Sequence, residues 1–116
     1  MTTWRNRIIG HGEESPDKLI PNPRNFRRHP KFQHEALAGA LNDIGWIQDV
    51  IVNQRSGNII DGHLRVYLAS KEKQASIPVK YVDLSPEEEA EALATFDPIG
   101  ALAEADKEAL DSLLRE

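Results

Sequence analysis

Asp61, Gly62, His63 and Arg65 place a carboxylate, a glycine, an imidazole and a guanidinium within five consecutive positions. They follow Ile59-Ile60, a β-branched pair suited to the end of a strand, and they open a run with helical spacing. A helix that begins on glycine exposes unpaired backbone N–H groups at the positive end of its dipole, and the missing side chain lets a ligand approach the backbone. His63 can donate or move a proton there, and Arg65 can grip a phosphate through two parallel bonds. The helix dipole opposes an arginine in the first turn, a placement that makes sense where a phosphate supplies negative charge. Asp61 can cap the helix, contact a magnesium ion or act as a base. The plainer alternative is a strand-to-helix turn with Asp61 as N-cap and two exposed side chains.

A second group lies in Asn22-Pro23-Arg24-Asn25-Phe26-Arg27-Arg28-His29-Pro30. Prolines at 21, 23 and 30 forbid regular structure, and a stiffened loop presents Arg24, Asn25, Arg27 and Arg28 at low entropic cost. Such a cluster suits the phosphate of a nucleotide or of a nucleic-acid backbone. The alternative is a solvated basic loop paired with the acidic C-terminal segment. Gln33, just beyond the loop, is a candidate ligand contact or a plain surface residue. His29, His34 and His63 lack the spacing of a protein-ligated zinc site, and Asp61, a candidate magnesium contact, or Gln33 could help position a magnesium ion or water. Trp4 and Trp46 are expected in core or edge packing, and the acidic helix from Glu87 on a solvated face.

The elements that must carry these groups follow from pattern. A short strand is expected over 4–9 with a turn at Gly10-His11-Gly12, then a turn of helix at Ser15-Pro16-Asp17 that brings Leu19 and Ile20 inward. Phe32, Ala36, Leu37, Ala40, Leu41 and Ile44 form a helical stripe ended by Gly45. Val50-Ile51-Val52 and Ile59-Ile60, around Ser56-Gly57-Asn58, read as a hairpin. The helix after Gly62 should turn Leu64, Tyr67, Leu68 and Ala69 to one face, and a strand is expected over 77–82. Ser85-Pro86-Glu87-Glu88 starts a further helix through an N-cap hydroxyl, proline at the first position and early acids; it should end near Thr95, before Asp97-Pro98. A last helix is expected over 105–114. The sum is a mixed α/β domain with a small sheet flanked by helices, over 1–100, and an acidic C-terminal helix over 101–116.

Length and composition bound the function. The 116 residues, 40% hydrophobic and 28% charged, suit one domain, and the absence of cysteine removes disulfides and thiol chemistry. No apolar run approaches a membrane span and the first ten residues do not read as a signal peptide, so a cytoplasmic protein is expected. The net charge of -5 is uneven: residues 83–116 carry -9, and residues 1–82 carry +4 from twelve bases and eight acids. The N-terminal part thus permits an anionic ligand.

The order of these motifs resembles the N-terminal domain of the ParB/sulfiredoxin superfamily over roughly residues 17–95. Pro-Asn-Pro-Arg-Asn precedes a helix ending in Ile44-Gly45-Trp46-Ile47-Gln48, then come Val50-Ile51-Val52, Ile60-Asp61-Gly62-His63-Leu64-Arg65 and Ile77-Pro78-Val79-Lys80-Tyr81-Val82. The segment from Leu93 to Pro98 resembles ParB-like proteins found with phage and mobile-element DNA methylases. The resemblance implies a nucleotide site: CTP with Mg2+ in ParB proteins, ATP in sulfiredoxin. Gly62 and Arg65 match the phosphate-gripping motif, Asp61 matches its kinase-like and phage-type version, and Arg24 and Asn25 match the first loop of the pocket. His63 stands where ParB has glutamate and sulfiredoxin its reactive cysteine, so sulfiredoxin chemistry is excluded. Leu64 replaces a polar residue, and Asp49 replaces the proline after Gln48. The chain leaves no room for the helix-turn-helix and dimerisation domains of partition proteins. The expectation is a stand-alone domain in DNA maintenance or modification. It binds CTP or ATP with Mg2+ through Arg24, Asn25, Arg27, Arg28, Gln33, Gly62, His63 and Arg65, with Asp61 and His63 as candidate catalytic groups. Any activity would be that of a weak NTPase, phosphotransferase or nuclease. The rivals are a DNA-binding or nuclease module and a protein-interaction domain with a vestigial pocket, and a DNA-modification protein is a candidate partner.

Overall fold

A computed structural model of the chain describes residues 3–23 and 30–95. Its elements are β1 (Ile8–Glu14), a single 3-10 turn (Pro16–Lys18), α1 (Lys31–Asp43), β2 (Val50–Asn53), β3 (Ile59–Asp61), α2 (His63–Lys71), β4 (Ile77–Val82) and α3 (Pro86–Thr95). The strands form one mixed sheet in the order β1-β4-β2-β3. β1 runs antiparallel to β4, β4 parallel to β2, and β2 antiparallel to β3. The mixed α/β fold expected from the pattern is therefore present. The loop at 24–29, the break at Asp97-Pro98 and the expected helix over 105–114 lie outside the described residues.

The centre of the sheet is apolar by composition. Val50, Val52, Ile59, Ile77 and Val79 share a core with Leu19, Val66 and Ala69, and Trp46 and Tyr81 pack against it. Consecutive residues of a strand face opposite sides. Ile59 accordingly enters this core, while Ile60, also buried, lies on the side where α3 packs against β3 and buries Ala92 and Leu93. The β2–β3 hairpin and the α3 start match their sequence signals. So does the stop after α1, where Gly45 takes a φ of 93°.

Four expectations are corrected. β1 spans Gly10-His11-Gly12 instead of turning there, because Gly10 and Gly12 pair with Tyr81 and Val79 of β4. The Tyr81 ring lies across Gly12, where an added Cβ would stand 3.4 Å from it. Trp4, placed in core or edge packing from its type, is 88% exposed. α1 has no fully buried residue, and Phe32 and Ile44 of its stripe are exposed, since among the described residues it packs chiefly against α2. Leu19 turns inward as expected, but Ile20 and Tyr67 are half exposed. Ile20 instead makes a parallel bridge with Asn58.

Candidate functional site

The β3–α2 junction brings Asp61, Gly62, His63 and Arg65 together, and Gly62 rather than Asp61 is the N-cap of α2. Gly62 adopts a φ of 102°, a left-handed conformation that glycine takes without steric cost. There is also no room for a side chain: a Cβ here would stand 3.0 Å from Arg65 Nη2 and 3.1 Å from Val50 Cγ2. The first helical bond runs from Val66 N–H to the Gly62 carbonyl. The preceding amides of α2 therefore point out of the N-terminus, with no side-chain cap and no acid in the first turn.

Arg65 does not project from that turn. Its side chain is 9% exposed and folds under Gly62, where Nη2 meets Asp61 Oδ2 at 3.3 Å and Nη1 donates to the Gln48 carbonyl at 2.8 Å. Arg65 also lines a cleft of about 170 Å³ with Leu41, Ile44, Trp46, Ile47 and Gln48, on the α1 side. The carboxylate and guanidinium of the motif thus neutralise each other inside the protein and hold the glycine turn in shape.

His63 faces the loop. The Asn22 N–H donates to His63 Nε2 at 3.1 Å, which assigns the proton of the neutral ring to Nδ1. Asn22 itself is 4% exposed. The far end of the loop returns to the same helix: Pro30 is the N-cap of α1, and His34 in its first turn packs edge-on against Tyr67 of α2, with ring centroids 5.6 Å apart. Both ends of the 24–29 segment are therefore tied to the N-terminal half of α2. Arg24, Asn25, Arg27 and Arg28 lie outside the described residues. Gln33 sits half-buried in the first turn of α1, where its N–H bonds to the Pro30 carbonyl. Like α2, α1 has no side-chain cap and no acid in its first turn.

α3 is built the opposite way. Ser85 Oγ accepts the Glu88 N–H at 3.2 Å, and Glu88 Oε1 accepts the Ser85 N–H at 2.9 Å, a reciprocal capping box. Arg7 adds two bonds to the Glu88 carboxylate. The Arg7 bond and then the Ser85 backbone bond hold the Glu88 carboxyl well below its ordinary value, at about 2.

Sequence reasoning missed Glu89, which it placed on a solvated face. The residue is 8% exposed and accepts bonds from Asn53 Nδ2 at 3.0 Å, from Ser56 Oγ, and from Asn58 Nδ2 at 3.4 Å. Burial opposes its ionisation, but the bonds from Ser56, Asn53 and Asn58, with the Asn22 side chain nearby, hold its carboxyl below the usual range. The one sequence signal was the run of polar residues Asn53, Ser56 and Asn58 around the hairpin, more than a turn needs. Among the described residues no three His, Asp or Glu side chains come together to hold a metal ion, and no helix is long and apolar enough to cross a membrane.

No protein-family model matches the chain. It is 36% identical over 62 residues to the ParB-like nuclease domain-containing protein YnaK of Escherichia coli (strain K12), a match covering 53% of this chain and 70% of that relative. Among solved structures it is similar to the C-terminally truncated chromosome-partitioning protein ParB from Caulobacter crescentus complexed with CTP-gamma-S. That likeness has a TM-score of 0.60 and 23% identity, over 71% of this chain and 49% of that one. A Pnob8-like ParB-N domain gives a TM-score of 0.61 at 18% identity, over 76% of this chain and 36% of that one. The chain spans half or less of the length of these two structures, whose likeness carries the fold. Identity across most of YnaK, on a fold shared with ParB N-terminal domains, shows that the chain belongs to the ParB-like domain family.

Proposed function

We propose that the chain binds a nucleoside triphosphate, CTP or ATP, at the α2 N-terminus and acts as a nucleotide-dependent module in cytoplasmic DNA maintenance or modification. The observation that carries the reading is the anchoring of both ends of the arginine-rich loop to the N-terminal half of α2, through Asn22–His63 and His34–Tyr67. The reading assigns Arg24, Arg27 and Arg28 to the phosphates, with the α1 and α2 N-termini, which no side chain caps, as backbone donors. Phosphate oxygens would rest on the amides of Gly62 and His63, with Asn25 and Gln33 at the rim. Arg65 and Asp61 act through the turn they hold. The ParB structure complexed with CTP-gamma-S supports a triphosphate as the ligand.

A magnesium ion fits this site only as part of the ligand. The described residues supply no cage for it, and the Asp61 carboxylate is engaged by Arg65. Such an ion keeps most of its water and travels with the phosphates. The second reading, a nuclease module, is favoured by the name of the Escherichia coli relative.

Thermal unfolding with CTP, ATP, GTP and UTP, each with and without magnesium, tests the proposal. A ligand at about 100 times its dissociation constant stabilises by roughly 2.7 kcal/mol, a shift of several degrees. One nucleotide should give that shift, and Arg27→Ala/Arg28→Ala should abolish it while the ligand-free melting temperature stays close to wild type. No shift with any nucleotide, together with cleavage of DNA under the same ions, would replace this reading with the nuclease one.

A further inference from the structure

Glu89 is a buried carboxylate whose described partners are all neutral donors. Asn53 Nδ2 at 3.0 Å, Ser56 Oγ and Asn58 Nδ2 at 3.4 Å all come from β2 and the β2–β3 turn. Asn53 also bonds the backbone of Leu84 in both directions, at 3.1 and 3.0 Å, so the start of α3 is fastened to the same turn. A carboxylate buried at this depth is costly unless its oxygens are occupied, and these donors make it a rigid node rather than a surface charge. The turn it holds has a neighbour. Asn58 bridges Ile20 in parallel register, and the Ile59 N–H donates to the Ile20 carbonyl at 2.9 Å. Two residues on, Asn22 is buried and reaches His63 through its N–H. The path from α3 to the α2 N-terminus therefore runs through Glu89, the β2–β3 turn and residues 20–22.

We propose that Glu89 is a positioning residue for the nucleotide site: by locking the β2–β3 turn against α3, it fixes residues 20–22 and with them the Asn22–His63 contact at the α2 N-terminus. The proposal rests on the nucleotide reading for its functional consequence, though not for its geometry. Glu89 makes no contact with the ligand and acts through Asn58 and Asn22. Its removal should loosen the Asn22–His63 contact while leaving the main core under α2 intact.

Glu89→Gln keeps the shape and turns one acceptor oxygen into a donor facing donors. Nucleotide affinity should fall about tenfold or more, the scale on which outer positioning partners act. Ser85→Ala is the control: it removes the N-cap of the same helix away from Asn22, and should lower the melting temperature with the dissociation constant unchanged. Equal affinity losses in the two variants would make Glu89 merely structural and overturn the proposal. A second readout needs no nucleotide. In the wild type, ¹⁵N NMR should show the Nδ1-protonated form of neutral His63, and the Asn22 amide should be protected from exchange. In Glu89→Gln the protection should drop and the His63 tautomers should mix. Both signals unchanged in a folded variant would defeat the positioning role, whatever nucleotide does. A wild type that binds no nucleotide but shows these changes would defeat the functional reading alone. Should Glu89→Gln fail to fold, Ser56→Ala removes a single donor and should move the same signals in the same direction by less.

Discussion

Arg65 and Asp61 are the residues whose chemistry was plainest in the sequence, and they spend it on each other. Both side chains are under 10% exposed, and the pair lies beneath a glycine whose position leaves no room for a Cβ. A buried ion pair adds little over an apolar replacement, but losing one partner leaves the other charge uncompensated, at a cost of about 3–5 kcal/mol. Arg65→Ala and Asp61→Ala should each destabilise the protein on that scale. The double variant should cost less than the sum by about 0.5–3 kcal/mol, read as a double-mutant cycle in urea unfolding. Strict additivity would show that the two groups do not depend on each other. The pairing also changes how a functional mutant is read. Nucleotide binding lost in Arg65→Ala would be read as loss of the Gly62 turn that the pair holds, whereas loss in the loop variants would test the proposed phosphate contact.

Among the elements, α3 was legible at its start and illegible in its face. Ser85-Pro86-Glu87-Glu88 is a local signal, complete within four residues, and the structure realises it as a capping box with Arg7 added. The pH response follows from Glu88. Its carboxyl lies at about 2 when folded, against an ordinary 4.5, first through Arg7 and then through the Ser85 backbone. The folded state therefore holds this proton less tightly than the unfolded one. The contribution is complete above the unfolded value and is lost as pH falls from about 5 towards 2. Asp83, lowered by the Arg55 bond, and Glu89 act in the same direction. Melting temperatures followed from neutral pH to about 3 should fall, and Glu88→Gln should flatten that fall; parallel curves for the two proteins would remove Glu88 as a source. Glu89 could not be read from its neighbours in sequence, because its donors arrive from a hairpin more than thirty residues earlier. β1 was misplaced for the same reason: Gly10 and Gly12 look like a turn locally and become strand through pairing with β4.

For the whole molecule, the uneven charge carries the choice between nucleotide and nucleic acid. Asp83 and Glu88 are paired at the surface with Arg55 and Arg7, and Glu89 is buried on the hairpin donors, so part of the acidic charge of this segment is compensated. Of the arginines, Arg65 is buried against Asp61, while Arg7 and Arg55 pair with Glu88 and Asp83 at the surface. On the proposed reading the arginines that meet phosphate are Arg24, Arg27 and Arg28, a number suited to one triphosphate. A duplex tracked along its backbone engages about 6–10 phosphates, and its binding constant falls with salt in proportion to that number. Three contacts predict a slope of about -3 in log binding constant against log salt concentration. Electrophoretic titration of a short duplex should therefore show, at low salt, a slope no steeper than this, with binding gone by about 0.15 M. Nucleotide-dependent stabilisation at that same salt should persist, because one bound triphosphate releases few counterions. A slope near -6 or beyond, with the duplex still held at about 0.15 M, would require a basic surface larger than the loop and would make DNA the ligand.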